Sequence, residues 1–77
     1  MTTQTVSQSY LDGIRDERAV LRAWQGEGAT DANLADLARA SLDTLNSTCR
    51  KFDAQSPVGQ YLRGCRDFWR NQSKKYA

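Results

Sequence analysis

Arg63, Arg66 and Arg70 follow one another at intervals of three and four residues, the spacing that stacks side chains on one face of a helix. A guanidinium is planar and permanently charged, and its fork of N–H donors matches a phosphate bidentately. Tyr61, Phe68, Trp69 and Tyr76 lie in the same stretch, and Tyr10 lies near the opposite end of the chain among Ser and Gln. An aromatic face stacks on a nucleobase for about 1–3 kcal/mol. The residue types that meet a nucleotide or a nucleic-acid backbone are therefore present, and the candidate ligand-binding set is Arg63, Arg66, Arg70, Tyr10 and Tyr61. The competing reading is a solvated basic face that pairs with an acidic remainder. Residues 1–48 carry four basic and seven acidic side chains, whereas residues 49–77 carry seven basic and two acidic. The net charge of +2 is low for a domain built on phosphate backbones, so duplex DNA is the less favoured partner.

Other chemistries find little support. The chain has no His, the commonest general base and metal ligand. Cys49 and Cys65 are sixteen residues apart, neither a CxxC pair nor half of a zinc ribbon. A nucleophilic thiol needs an adjacent base. The two cysteines are expected to be buried, reduced thiols. The five glycines form no phosphate-cradling loop of the GxGxxG or GxxxxGK type. Asp16 and Glu17 are adjacent, so they point in different directions, and both sit among arginines. The expectation is a protein that is not an enzyme, with no catalytic residue, no metal site and no cofactor.

Three amphipathic stretches must position these groups, and they predict an all-α chain with helices near residues 7–25, 31–52 and 57–74. In the first, Tyr10, Ile14, Leu21 and Trp24 recur at helical spacing, and Gly26 and Gly28 end it. Gly13 inside this stretch costs about 1 kcal/mol relative to Ala and marks a kink or a close approach by a partner helix. The second opens at Thr30 or Asp31, either of which can N-cap, and carries Leu34, Leu37, Ala38, Leu42, Leu45, Cys49 and Phe52 at threes and fours. The third opens with Ser56-Pro57, an N-cap followed by a residue preorganised for the first turn. Its apolar stripe is Val58, Tyr61, Leu62, Cys65, Phe68 and Trp69. The connection between the second and third helices is short, so they should form an antiparallel helical hairpin.

At 77 residues, with 39% hydrophobic and 26% charged side chains, residues 1–77 read as one small helical domain. Buried area and chain entropy nearly cancel at this size, so a homo-oligomer is expected. Trp24, Phe68 and Trp69 are assigned to its interface. Phe68 and Trp69 are neighbours pointing about 100° apart on a helix, so one narrow stripe cannot hold both. No stretch approaches the length of a membrane span. The opening MTTQTVSQS has neither a basic n-region nor an apolar h-region, so a cytoplasmic chain without a secretion signal is expected.

The segments Tyr10-Leu11-Asp12-Gly13-Ile14-Arg15 and Leu62-Arg63-Gly64-Cys65-Arg66-Asp67-Phe68-Trp69-Arg70-Asn71-Gln72 resemble the opening and closing segments of small helical proteins of tailed phages and prophages. The resemblance covers about a third of the chain, in two pieces. In size, helical content and the Tyr and Arg near both ends, the chain is also similar to phage proteins that sequester the cyclic nucleotide signals of bacterial immunity. That resemblance implies a counter-defence role in the host cytoplasm, with a cyclic di- or trinucleotide held in pockets between protomers. Two further readings stand beside it: a small helical inhibitor or adaptor that binds a host protein, and a nucleic-acid-binding phage regulator.

Overall fold

A computed structural model describes residues 7–76, so residues 1–6 and 77 of the expected domain lie outside the description. Three helices make up the architecture: α1 (Gln8–Gly26), α2 (Asp31–Cys49) and α3 (Pro57–Tyr76). No strand occurs among the described residues. Each helix begins at a side-chain cap. Ser7 Oγ accepts from the Tyr10 backbone N–H at 3.1 Å. Thr30 and Asn33 form a reciprocal capping box, each side chain bonding the other's backbone N–H at 3.1 Å. Ser56 Oγ accepts from the Gly59 N–H at 3.0 Å, just ahead of Pro57.

The helix ends differ slightly from expectation. Gly28, rather than Gly26, takes the left-handed conformation that closes α1, with φ of 85°. Helix α2 stops at Cys49, three residues short of the expected 52. There the Lys51 and Phe52 N–H groups bond the carbonyls of Thr48 and Cys49, three residues back, in tightened turns. Asp53 then organises the connection, accepting from the Gln55 N–H on Oδ1 and from the Ser56 hydroxyl on its backbone carbonyl.

Helix α3 is central. Both α1 and α2 pack along it, while α1 and α2 scarcely meet each other. Along α1 and α3 the paired residues ascend together: Ser7 with Gln60, Tyr10 with Asp67, Glu17 with Trp69 and Gln25 with Tyr76. These two helices are therefore parallel. Helix α2 runs the other way: Arg63 reaches the carbonyl of Cys49 at its C-terminus, and Leu34 and Ala38 near its start join Phe68 and Trp69. The antiparallel α2–α3 hairpin is thus present.

The core joins Leu21 of α1, Leu34 and Ala38 of α2, and Phe68 and Trp69 of α3. Phe68 and Trp69 are 7% and 1% exposed, with rings edge to face at 5.1 Å and 82°. This corrects their assignment to a protomer interface. An outer helix has one covered stripe, but a central helix has two, so neighbours 100° apart can both be buried within one chain. Trp24, by contrast, is 46% exposed. Leu21 is buried and Gln25 bonds Tyr76, so they take the inward side of the last turns of α1. Trp24 is rotated about 60–100° away from them.

Glycines bring α1 and α3 into backbone contact. A Cβ on Gly13 would collide with the Tyr61 carbonyl oxygen, and a Cβ on Gly64 with that of Tyr10. These close approaches place the ends of the α1 and α3 side chains within hydrogen-bonding reach of one another.

Candidate functional site

Asp67 gathers three of the five predicted ligand-binding residues. Its Oδ2 accepts from the Tyr10 hydroxyl at 2.6 Å, across the α1–α3 seam. Its Oδ1 accepts from Arg66 Nε at 3.1 Å and forms an ion pair with Arg66 Nη2 at 3.0 Å, and Arg70 Nη1 stands 3.6 Å away. Two guanidiniums against one carboxylate leave the cluster with an excess positive charge. The cluster is reachable from solvent: the side chains of Arg66, Asp67 and Arg70 are 24%, 29% and 47% exposed. Bonding to Asp67, then part-burial, holds the Tyr10 phenol above its ordinary value of 10.0, while Arg66 and Arg70 pull it the other way. Tyr10 therefore stays a neutral donor at neutral pH.

The remaining two predicted residues lie elsewhere. Arg63 donates from Nη1 to the Gly59 carbonyl at 3.0 Å and from Nη2 to the Cys49 carbonyl at 3.5 Å. It bonds one carbonyl in the first turn of α3 and one at the C-terminus of α2, and among the described residues it has no carboxylate partner. Tyr61 donates to Asp16 Oδ2 at 2.6 Å. That bond pushes the Tyr61 phenol strongly upward, with burial adding to it. The same bond, helped by Arg15, draws the Asp16 carboxyl below 3.8. Tyr61 is tied to a carboxylate outside the arginine cluster, so it does not join Tyr10 there.

A third contact of this kind runs from Trp69 Nε1 to Glu17 Oε1 at 3.0 Å. Three aromatic donors thus meet three carboxylates where α1 packs on α3. The acids were not singled out by spacing, although a sequence signal existed. Asp16 and Glu17 follow Gly13 by three and four residues, which places them on the glycine's side of α1. Asp67 adjoins Arg66 and precedes Arg70 by three.

Both thiols are shielded from solvent. Cys49 and Cys65 are free and each is 3% exposed. Burial, with the nearby charge of Glu17, pushes Cys65 up to about 11, and its Sγ lies 3.6 Å from the Gly13 carbonyl oxygen. Among the described residues no group of three His, Cys, Asp or Glu side chains is placed to hold a metal ion. No described helix is long and apolar enough to cross a membrane.

Hollows mark the surface of the described residues. One of about 330 Å³ lies between α1 and α2, lined by Glu17, Ala40, Ser41, Thr44 and Leu45. Another, of about 250 Å³, is lined by Ala23, Trp24 and Glu27. Neither of these two is lined by the arginines, whose cluster is open to solvent. Comparison of the chain with protein-family models, curated proteins and solved structures found no match.

Proposed function

We propose that this chain is a non-enzymatic binding protein for a compact polyanion, with a cyclic oligonucleotide as the ligand class, and that it sequesters this ligand between protomers in a phage counter-defence role. The observation that carries the reading is the convergence of Tyr10, Arg66 and Arg70 on one solvent-facing cluster with excess positive charge. A surface cluster supplies cations from one side only. A cyclic nucleotide holds two or three phosphates in a ring and needs cations from two sides, which a symmetric pairing of copies would provide. Tyr10 offers a ring for a base beside the arginines. Sequestration requires no catalyst, so the ligand should leave intact when the protein is denatured. Calorimetry with cyclic di- and trinucleotides, followed by chromatography of the released ligand, tests both parts. Tight binding with full recovery is expected, and a cleaved product would rule out sequestration.

Exposed Trp24 favours a second reading, a helical adaptor or inhibitor that binds a host protein. Val20, one turn earlier, is 38% exposed, and Trp24 with Ala23 and Glu27 borders a hollow. Exposed aromatic side chains are frequent hot spots of protein interfaces. If no anion binds, this surface becomes the leading site. Trp24→Ala would then abolish partner binding, whereas Arg66→Ala would not.

A further inference from the structure

We infer that Asp67 is a built-in competitor for the ligand's phosphate, one that must give up Arg66 and Arg70 before an anion can occupy them. The inference rests on the anion-binding reading above and adds a selection rule to it. Arg66 presents Nε and Nη2, the edge of the fork that a phosphate takes bidentately, and both atoms are engaged by Asp67 Oδ1. Arg70 leans on the same oxygen at 3.6 Å. Asp67 sits beside Arg66 in the chain, so its carboxylate is present at high effective concentration.

A single monoanion brings no more charge than Asp67 and has that local concentration to overcome. A ligand with two or more charges in a small volume holds an advantage that grows with each further guanidinium it reaches. The cluster therefore discriminates against isolated monoanions and in favour of compact polyanions. The competition need not dismantle the fold, because Tyr10 is bonded to Oδ2, the oxygen that the arginines do not use. Asp67 can release the arginines while keeping its link to α1.

The test uses the full chain and its Asp67→Asn variant, titrated by calorimetry with pyrophosphate and with a set of cyclic dinucleotides. Asparagine preserves the shape and an acceptor for Tyr10, but removes the competing charge. Pyrophosphate should bind D67N at least tenfold more tightly than the natural chain. On the natural chain, the Arg66 Nε–H resonance should shift on saturation with pyrophosphate toward its position in pyrophosphate-saturated D67N. Unchanged or weaker binding by D67N would overturn the inference, since Asp67 would then be neutral or would orient the arginines. An Arg66 resonance that stays still at saturation would overturn it as well. Asp67→Ser repeats the comparison should circular dichroism show that D67N does not fold. If pyrophosphate gains affinity while cyclic dinucleotides bind neither protein, the competitor stands and the cyclic-nucleotide reading falls. If cyclic dinucleotides bind both proteins equally, the competitor falls and that reading survives. Absence of binding by every probe to both proteins would overturn both.

Discussion

Tyr61 and Asp16 show how one hydrogen bond sets two titrations. The phenol donates to the carboxylate, so it is harder to ionise, and the carboxylate, stabilised in its charged form, is easier to ionise. Tyr61→Phe should let the Asp16 carboxyl rise toward 3.8, as read by NMR titration of its side-chain carbon. A carboxyl depressed in the folded state stabilises the fold above its unfolded value and loses that contribution as pH falls through the folded one. The stability difference between Tyr61→Phe and the natural chain should therefore be present at neutral pH and shrink below about pH 3.8. Cys65 works in the opposite direction. Its thiol ionises near 9.0 when unfolded and near about 11 when folded, so between these values only the unfolded chain has lost the proton. Denaturant titrations should show stability falling as pH rises from 9 toward 11, and Cys65→Ala should flatten that decline. The pairing of Arg66 with Arg70 was legible in the sequence from helical periodicity, but the same spacing also offered Arg63, which instead bonds the Gly59 and Cys49 carbonyls. The carboxylate partners were less legible, because which acid meets which aromatic depends on how α1 and α3 are packed.

At the scale of elements, the seam between α1 and α3 depends on two glycines. Alanine is the better helix former by about 1 kcal/mol, so an isolated helix would gain from either Gly13→Ala or Gly64→Ala. In the fold each new methyl would meet a backbone carbonyl, which cannot rotate aside. Overpacking of this kind typically costs about 1–3 kcal/mol, so both variants should melt lower despite the better propensity. Gly26 is the control: beyond its own turn of helix, no described heavy atom lies within 4 Å of a Cβ there, and Gly26→Ala should leave the melting temperature level or higher. The two tryptophans separate in the same assay. Trp69→Ala empties a buried site and should cost about 3–5 kcal/mol. Trp24→Ala, on the surface, should stay within about 0.5 kcal/mol. The element types and their starts were readable because Ser7, Thr30 and Ser56-Pro57 are local signals. The central place of α3 was not. A stripe wide enough to hold both Phe68 and Trp69 can mean a second protomer or a second flanking helix, and periodicity along one helix does not distinguish them. Gly13 did carry the hint, since a glycine inside an amphipathic helix costs propensity and so marks a kink or a close approach.

The described residues form a long and shallow body, with Cα extents of 44 × 25 × 18 Å and a radius of gyration of 13.3 Å. A typical compact chain of this length would have a radius of gyration of about 11–12 Å. The difference follows from two helices flanking a third instead of closing into a three-sided bundle. The exposed Leu11, Val20, Trp24, Phe52 and Val58 are left at the surface of so small a body. Self-association would cover part of that surface and set two arginine clusters against one ligand, so light scattering should give a mass above the 8.7 kDa of one chain, at least when ligand is present. A monomer at high micromolar concentration, with and without ligand, would refute the shared pocket. In the proposed function Arg66, held with Tyr10 and Arg70 around Asp67, binds a compact polyanion. A charged hydrogen bond is worth about 1.5–3 kcal/mol, which is roughly ten- to a hundredfold in affinity. The most direct measurement is calorimetry of cyclic di- and trinucleotides on the natural chain and on Arg66→Ala. One of these ligands should bind with a Kd below about 10 μM, and the variant should lose at least tenfold. No binding below that concentration, or equal affinity in the two proteins, would contradict the proposed function.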